Sequence, residues 1–267
     1  MLPEKKKQVL KNFLEENWLG LPEEKEARRK NRSIQNFSGF SLYSMDRTGP
    51  FSNWVIPNRE NIREAEFTDM LKRAENFFSE RETPFSWEVF EDLCPWLEKK
   101  LLQSGYKIAE TVKCMVLELS EKSLSREYTN RVKRVKKEVE LYQAMKIDDS
   151  YDEHNTEQFE NAYASNKKLL GDKKYLWVLG FKDKIAASSA CIEFFEEQKI
   201  AYLGGATTLT EFRRQGFYTD LLFFRLFYAY KQGFQIVATH ADSQTSAPIL
   251  IRNGFETLSC IKVFQKT

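Results

Sequence analysis

Ile200-Ala-Tyr-Leu-Gly-Gly-Ala-Thr-Thr-Leu-Thr-Glu-Phe-Arg-Arg-Gln-Gly-Phe-Tyr-Thr219 is the stretch on which the reading of this chain turns. The apolar run up to Leu209 reads as a strand, a short basic turn follows, and Gly216 to Gln232 reads as an amphipathic helix carrying Leu221, Leu222, Phe224, Leu226 and Phe227. A helix that opens directly after a strand presents backbone N–H groups without intrahelical acceptors at the positive end of its dipole. Such a junction can cradle a pyrophosphate, with Gly216 allowing close backbone approach and Arg213 and Arg214 adding charge. Read from its residues alone, the segment equally describes a strand-to-helix turn with an N-terminal glycine and two surface arginines.

The elements on either side are well marked. Tyr175 to Phe181 and Ile185 to Phe195 form a hairpin about the charged turn Lys182-Asp183-Lys184, and Glu196 to Gln198 turns the chain into the strand at Ile200. Downstream come a strand from Gln235 to His240, a helix from Ser246 to Asn253 and a last strand from Glu256 to Gln265. Upstream lies a helix from Glu157 to Leu170. Arg131 to Lys137 holds five basic residues in seven, interleaved with Val132 and Val135, and reads as a charged strand or helix face.

The polar, aperiodic stretch from Ser120 to Asn130 reads as a linker, which divides the chain into domains at 1–125 and 126–267. The first part opens with Val9, Leu10, Phe13, Leu14 and Trp18 at helical spacing, and a charged run from Glu23 to Arg32 reads as a solvated helix face. Aromatic, β-rich segments from Phe37 to Pro57 follow, broken at Gly39 and Gly49-Pro50. Then come a helix from about Glu60 to Glu80, a short strand from Pro84 to Phe90, a helix from Trp96 ending at Gly105, and a strand from Lys113 to Leu119. Leu101-Leu102-Gln103-Ser104-Gly105-Tyr106 echoes Leu250-Ile251-Arg252-Asn253-Gly254-Phe255, each at a helix end that leads into a strand.

Composition bounds the chemistry. At about 150 residues per domain, 267 residues make just under two domains. The 41 Lys+Arg and 39 Asp+Glu leave a formal charge of +2, which argues against a dedicated nucleic-acid or polybasic membrane binder. Cys94, Cys114, Cys191 and Cys260 show no C-x-x-C pair and no nearby His, so reduced thiols and no metal site are expected. Met1 to Lys7 has no apolar core of the signal-peptide kind, and the apolar run Leu221 to Tyr230 is short and interrupted by Arg225. A soluble, cytoplasmic protein is the expectation.

Arg213-Arg214-Gln215-Gly216-Phe217-Tyr218 resembles the Q/R-x-x-G-x-G/A acyl-CoA signature of the GCN5-related N-acetyltransferases (the GNAT superfamily), and Ala247 to Phe255 resembles that family's A-x-x-L-Y-x-x-x-G-F helix end. The resemblance covers about residues 131 to 267. It implies an α+β fold with a central, mostly antiparallel, splayed sheet flanked by helices. The N-terminal half, without a phosphate junction, is expected to be a degenerate GNAT-like half of a tandem protein. Its aromatics (Phe51, Trp54, Phe77, Phe78, Phe85, Trp87 and Trp96) are expected in core and interdomain packing, some walling an acceptor cleft.

The resemblance further implies an N-acetyltransferase that uses acetyl-CoA as co-substrate and a small primary amine as acceptor, with a homodimer left open. Its cofactor-binding residues would be Thr207, Thr208, Leu209, Arg213, Arg214, Gln215, Gly216, Phe217, Tyr218 and Thr219. In this scheme Thr207 to Leu209 splays from its neighbour, the pyrophosphate sits on N–H groups from Arg214 to Thr219, and a backbone N–H near Leu209 binds the oxyanion. The amine attacks directly, with no enzyme nucleophile.

Two departures from the family pattern stand out. Tyr218 holds the last signature position, where Gly or Ala is usual, and either points away from the loop or projects toward the acyl group as a proton donor. Leu250 stands where many relatives carry the tyrosine that protonates the leaving thiolate. These departures raise the alternative of a CoA-binding sensor without efficient turnover. His240, at a strand end beside the splay, and Glu193, on the neighbouring strand, are the candidate general bases. Asp242 reads as a loop or helix-cap residue and Cys191 as inert core. Acceptor contacts are expected from Asp148 to Leu170 together with the N-terminal half.

Overall fold

The computed structural model describes residues 2–19, 32–45, 53–58, 61–92, 95–124, 129–148 and 156–266. The charged run up to position 31, Gly49-Pro50, Phe51 and Cys94 lie outside the described residues. Helix α1 (Glu4–Leu19) precedes a meander of β1 (Arg32–Asn36), β2 (Phe40–Met45) and β3 (Asn53–Pro57). Helix α2 (Phe67–Ser79) then leads to β4 (Ser86–Phe90), and α3 (Pro95–Gln103) to the long strand β5 (Tyr106–Glu118). Then come β6 (Val132–Arg134), α4 (Glu138–Ile147) and α5 (Thr156–Lys167), followed by β7 (Tyr175–Lys182), β8 (Ile185–Phe195) and β9 (Ile200–Thr208). The chain closes with α6 (Phe217–Lys231), β10 (Ile236–Asp242), α7 (Ser246–Arg252) and β11 (Glu256–Lys266).

The eleven strands form one mixed sheet in the order β1-β2-β3-β4-β11-β5-β10-β9-β8-β7-β6. Two neighbouring pairs are parallel, β3 with β4 and β9 with β10. Each belongs to a strand–helix–strand–helix–strand run, β3-α2-β4-α3-β5 in the first half and β9-α6-β10-α7-β11 in the second. The sequence echo lies at the end of both runs: Gly105 (φ +86°) and Gly254 (φ +87°) take the left-handed conformation that ends α3 and α7 before β5 and β11.

The two runs do not keep their last strands. β11 lies between β4 and β5, and β5 lies between β11 and β10, so each half receives the other's final strand. Because β5 pairs with β11 from Tyr106 onward, it begins seven residues before the apolar segment at Lys113.

The central strands are covered on both faces, as continuous apolar strands require. Val112, Cys114 and Val116 of β5 meet Leu10 and Leu14 of α1, while Met115 and Leu117 face the side covered by Leu221, Leu222 and Leu226 of α6. Phe77, Phe78 and Trp87 form the core beneath α2 and α3, with Phe85 and Trp96 packed against it, and Trp54 joins Tyr43 and Ile56 in a separate cluster. Among the described residues no helix is long and apolar enough to cross a membrane.

Candidate functional site

Strands β9 and β10 run paired from Ile200–Ile236 to Leu203–Thr239 and then separate. β10 continues along β5 to Asp242, while β9 follows β8 through a bulge in which Cys191 faces Gly204 but Ser189 faces Thr207. The splay therefore opens at Gly204, three residues before the expected Thr207. Gly205 explains the position: its φ is +43°, and an added Cβ would lie 2.7 Å from the buried Asp148 carboxylate.

Thr207 and Thr208 remain paired with Ser189 and Ser188 on the β8 side. The Leu209 N–H donates to the Ala187 carbonyl at 3.0 Å and is not turned toward the splay. By the alternation of an antiparallel ladder, the Thr208 N–H is the one that faces away from β8, toward β10. Its carbonyl points the same way and accepts from Arg213 Nε at 3.1 Å.

A cavity of about 290 Å³ occupies the splay. Trp18, Tyr202 and His240 line it on the α1 side of the sheet, and Tyr218, Arg225, Ser246 and Leu250 on the side of α6 and α7. It thus reaches both faces of the sheet between two strands that have parted.

The basic turn leads from the strand end into α6. Arg214 (φ +62°) and Gly216 (φ +82°) both take left-handed backbone, and Gly216 is the N-cap with no side-chain cap. Asp220 N–H makes the first intrahelical bond, to the Gly216 carbonyl at 3.0 Å, so the N–H groups of Phe217, Tyr218 and Thr219 have no acceptor within the helix. Arg213, Arg214, Gln215 and Gly216 are exposed around this end. The backbone donors Phe217 to Thr219 lie at this end, with Arg213 and Arg214 in the turn that precedes it.

A brace unseen in the sequence holds the junction. Asp220 is buried; its Oδ2 accepts from Arg131 Nε at 2.5 Å and from the Thr129 hydroxyl at 2.8 Å. Arg131 also donates from Nη2 to the Gln215 carbonyl at 2.8 Å, and its guanidinium lies 4.0 Å from the centroid of the Phe217 ring. The sequence counted Arg131 among the charges of a strand face, and the only available signal was an aspartate at position 220 within an apolar helix. Arg131→Met leaves the Asp220 carboxylate buried without its cation and is expected to lower stability by on the order of 3 kcal/mol, read from the urea midpoint.

The acid and base candidates fall in different places. His240 Nδ1 lies 2.8 Å from the Tyr202 hydroxyl, and the Trp18 ring covers the imidazole at 4.9 Å between centroids. Trp18 in turn donates its indole N–H to the buried Glu88 carboxylate at 2.6 Å. Glu193 pairs with Tyr202 across β8 and β9, which sets it one strand further out than His240; it is not part of the cavity wall.

Tyr218 does line the cavity beside Ser246, and burial raises its pKa. Leu250 forms part of the same wall, 1% exposed. Asp242 accepts the N–H groups of Gln244 and Thr245 and the Thr245 hydroxyl, which fixes the entry to α7. Burial pushes the Cys191 thiol up to about 12.

Arg225 was read from the sequence only as an interruption of an apolar run. It is 2% exposed on α6 and donates to three backbone carbonyls, Leu221 at 3.1 Å, Cys191 at 3.3 Å and Gly204 at 3.2 Å. The last two flank the bulge. Of the expected acceptor segment, Asp148 lies against Gly205, α5 packs on α4 at the far side of the sheet, and 149–155 lie outside the described residues. Among the described residues no group of three or more His, Cys, Asp or Glu is placed to hold a metal ion.

No family model matches the sequence, and no curated protein does. The fold is shared with solved structures. Over 90% of its length the chain matches 91% of a GCN5-related N-acetyltransferase from Kribbella flavida, with a TM-score of 0.65 and 17% identity. Over 88% it matches 82% of a GCN5-related N-acetyltransferase from Sphaerobacter thermophilus, with a TM-score of 0.63 and 13% identity. A tandem GNAT protein from the clavulanic acid biosynthesis pathway is matched over 85% of this chain and 78% of that one, at a TM-score of 0.58 and 12% identity. At these identities the likeness is one of fold.

Proposed function

With the GNAT fold as premise, we propose that the chain is an acyl-CoA-dependent N-acyltransferase that moves an acetyl group from acetyl-CoA to a primary amine by direct attack. The observation that carries this reading is the splay between β9 and β10, whose cavity adjoins a helix N-terminus with N–H groups left over. The residues present suit the cofactor. Gly216 leaves the junction without a side chain, Phe217 to Thr219 supply N–H donors, and Arg213 and Arg214 supply charge for phosphates. Acetyl-CoA contributes an activated thioester.

Thr208 N–H, turned toward the splay, is placed to donate to the carbonyl oxygen as it gains negative charge. The amine nitrogen bonds to the carbonyl carbon, the C–S bond breaks, and the sulfur takes a proton. Tyr218 holds that proton: it lies on the same cavity wall as Leu250, so the phenol absent from α7 is provided from α6. Burial keeps it protonated above the ordinary tyrosine range. His240, linked to Tyr202, is the base for the proton leaving the amine, directly or through water. The half at 126–267 carries these groups, and the half at 1–125 supports the sheet from β4 and β5.

The test is amine-dependent release of free CoA across a panel of primary amines, together with calorimetric binding of acetyl-CoA. Binding and turnover with at least one amine is the expected result; binding with no release on any amine turns the reading to a CoA-sensing protein, which the apolar Leu250 wall favours. Tyr218→Phe is expected to lower kcat about 100-fold with little change in acetyl-CoA affinity, as for loss of a general acid. Because Tyr218 acts in its protonated form and its pKa is raised by burial, the wild-type rate should rise with pH as the amine deprotonates and then stay level through the ordinary tyrosine range.

A further inference from the structure

From the environment of Arg225 we propose that the splay cavity takes a ligand carboxylate, and that the carboxylate belongs to the acyl group, so that the preferred donor is a dicarboxylic acyl-CoA. This rests on the acyl-CoA-dependent transfer read above and changes its preferred acyl group from acetyl to a dicarboxylic one.

A guanidinium has five N–H donors. Arg225 spends Nε on Leu221 and the two hydrogens of Nη1 on Cys191 and Gly204; these three bonds leave both hydrogens of Nη2. All three partners are neutral carbonyls. No carboxylate of a described residue pairs with Arg225, which is 2% exposed and lines the cavity. Asp148 sits on the other face of the sheet, its carboxylate against Gly205 beneath α4. A buried cation with neutral partners is held at a cost that an anion in the cavity would offset, and a guanidinium fork matches a carboxylate. Desolvation accordingly lowers the Arg225 pKa.

Position selects the source of the carboxylate. Arg225 follows Gly216 by nine residues, about 13 Å along α6 at helical rise, and follows Tyr218 by two turns on the same face. The phosphates would lie at the helix start, so what reaches Arg225 is the thioester end of the donor. Leu203, Ala206 and Leu250 supply apolar stretches of a wall that otherwise carries Thr239, His240 and Ser246. A short acyl chain ending in a carboxylate combines methylenes for that wall with an anion for Nη2.

The experiment compares succinyl-CoA with butyryl-CoA, which carries a methyl group where succinyl carries the carboxylate, by calorimetry on the full chain, with CoA itself as reference. Wild type is expected to bind succinyl-CoA at least tenfold more tightly than butyryl-CoA. Arg225→Met is expected to bring that ratio to about one while CoA binds both proteins alike. Equal binding of the two donors by wild type overturns the inference whether or not the variant folds, and so does a ratio that survives in a folded Arg225→Met. Both leave the functional reading intact if CoA binds. Failure of wild type to bind any of the three overturns the functional reading and this inference with it. In turnover with acetyl-CoA, a preference for β-alanine over propylamine that Arg225→Met abolishes would assign the carboxylate to the acceptor and overturn its placement on the acyl group.

Discussion

Gly216→Asp is expected to weaken acetyl-CoA binding by at least about 100-fold, close to 2.7 kcal/mol. Three effects of the same sign combine. Gly216 holds φ +82°, a conformation that costs a residue with a Cβ on the order of 1–3 kcal/mol. The added Cβ would lie 3.3 Å from Arg131 Nη2, the group that donates to Gln215 and whose Nε holds Asp220. Lastly, a carboxylate at the N-cap would occupy and neutralise the field on which bound phosphates depend. Gly216→Ala separates these effects, since it keeps strain and contact but adds no charge; a loss of about tenfold is expected. Calorimetry with acetyl-CoA reads both, with circular dichroism to establish that α6 persists. Wild-type affinity in the Asp variant would show that phosphates bind elsewhere.

Separate expression of 1–125 and 126–267 is expected to give two chains that do not fold singly but copurify one to one when coexpressed. The reason is the exchange of final strands. β11 brings Ile261, Val263 and Phe264, none more than 1% exposed, into the space between β4 and β5. Each such side chain stabilises by about 1.5–3 kcal/mol on burial, and without β11 the ladders on both of its sides are lost as well. The C-terminal fragment in turn loses β5, which covers β10 from Ile236 to Asp242. A cooperative thermal transition from either fragment as a monomer would mean that each half can take its own last strand back. The close likeness of the two runs makes that the competing outcome, and it is why coexpression and single expression must be compared.

Much of the second half was legible because the physics there is local. Alternation along residues 175 to 209, the charged turn at Lys182 to Lys184 and the helical period after Gly216 depend on neighbours a few positions apart. Gly105 likewise read as a helix cap from residue type and place, and it takes left-handed backbone, as do Gly216 and Gly254. Tyr218 and Leu250 were recognisable as departures from a pattern, and the cavity has both on one wall.

Other features involve partners far apart in the chain. Arg131 and Asp220 are 89 residues apart and Trp18 meets Glu88 across 70, and nothing in either neighbourhood marks the pairing. The splay was expected at Thr207 because the strand pattern continues that far; it opens at Gly204 because the ladder with β8 bulges there, a matter of register between two strands. Arg225 appeared as one charge in an apolar run, and whether such a residue reaches solvent or is enclosed depends on what covers the helix.

The exchange of β5 and β11 is the clearest case. Both are long strands that follow a short helix and a left-handed glycine, and either would satisfy the edge of either half. The sequence therefore determined that each half of the chain ends in a strand that follows a short helix. Which neighbour each strand adopts was decided by the packing of the assembled sheet, because backbone ladders carry no address and the choice is made by side chains brought together from opposite ends of the chain.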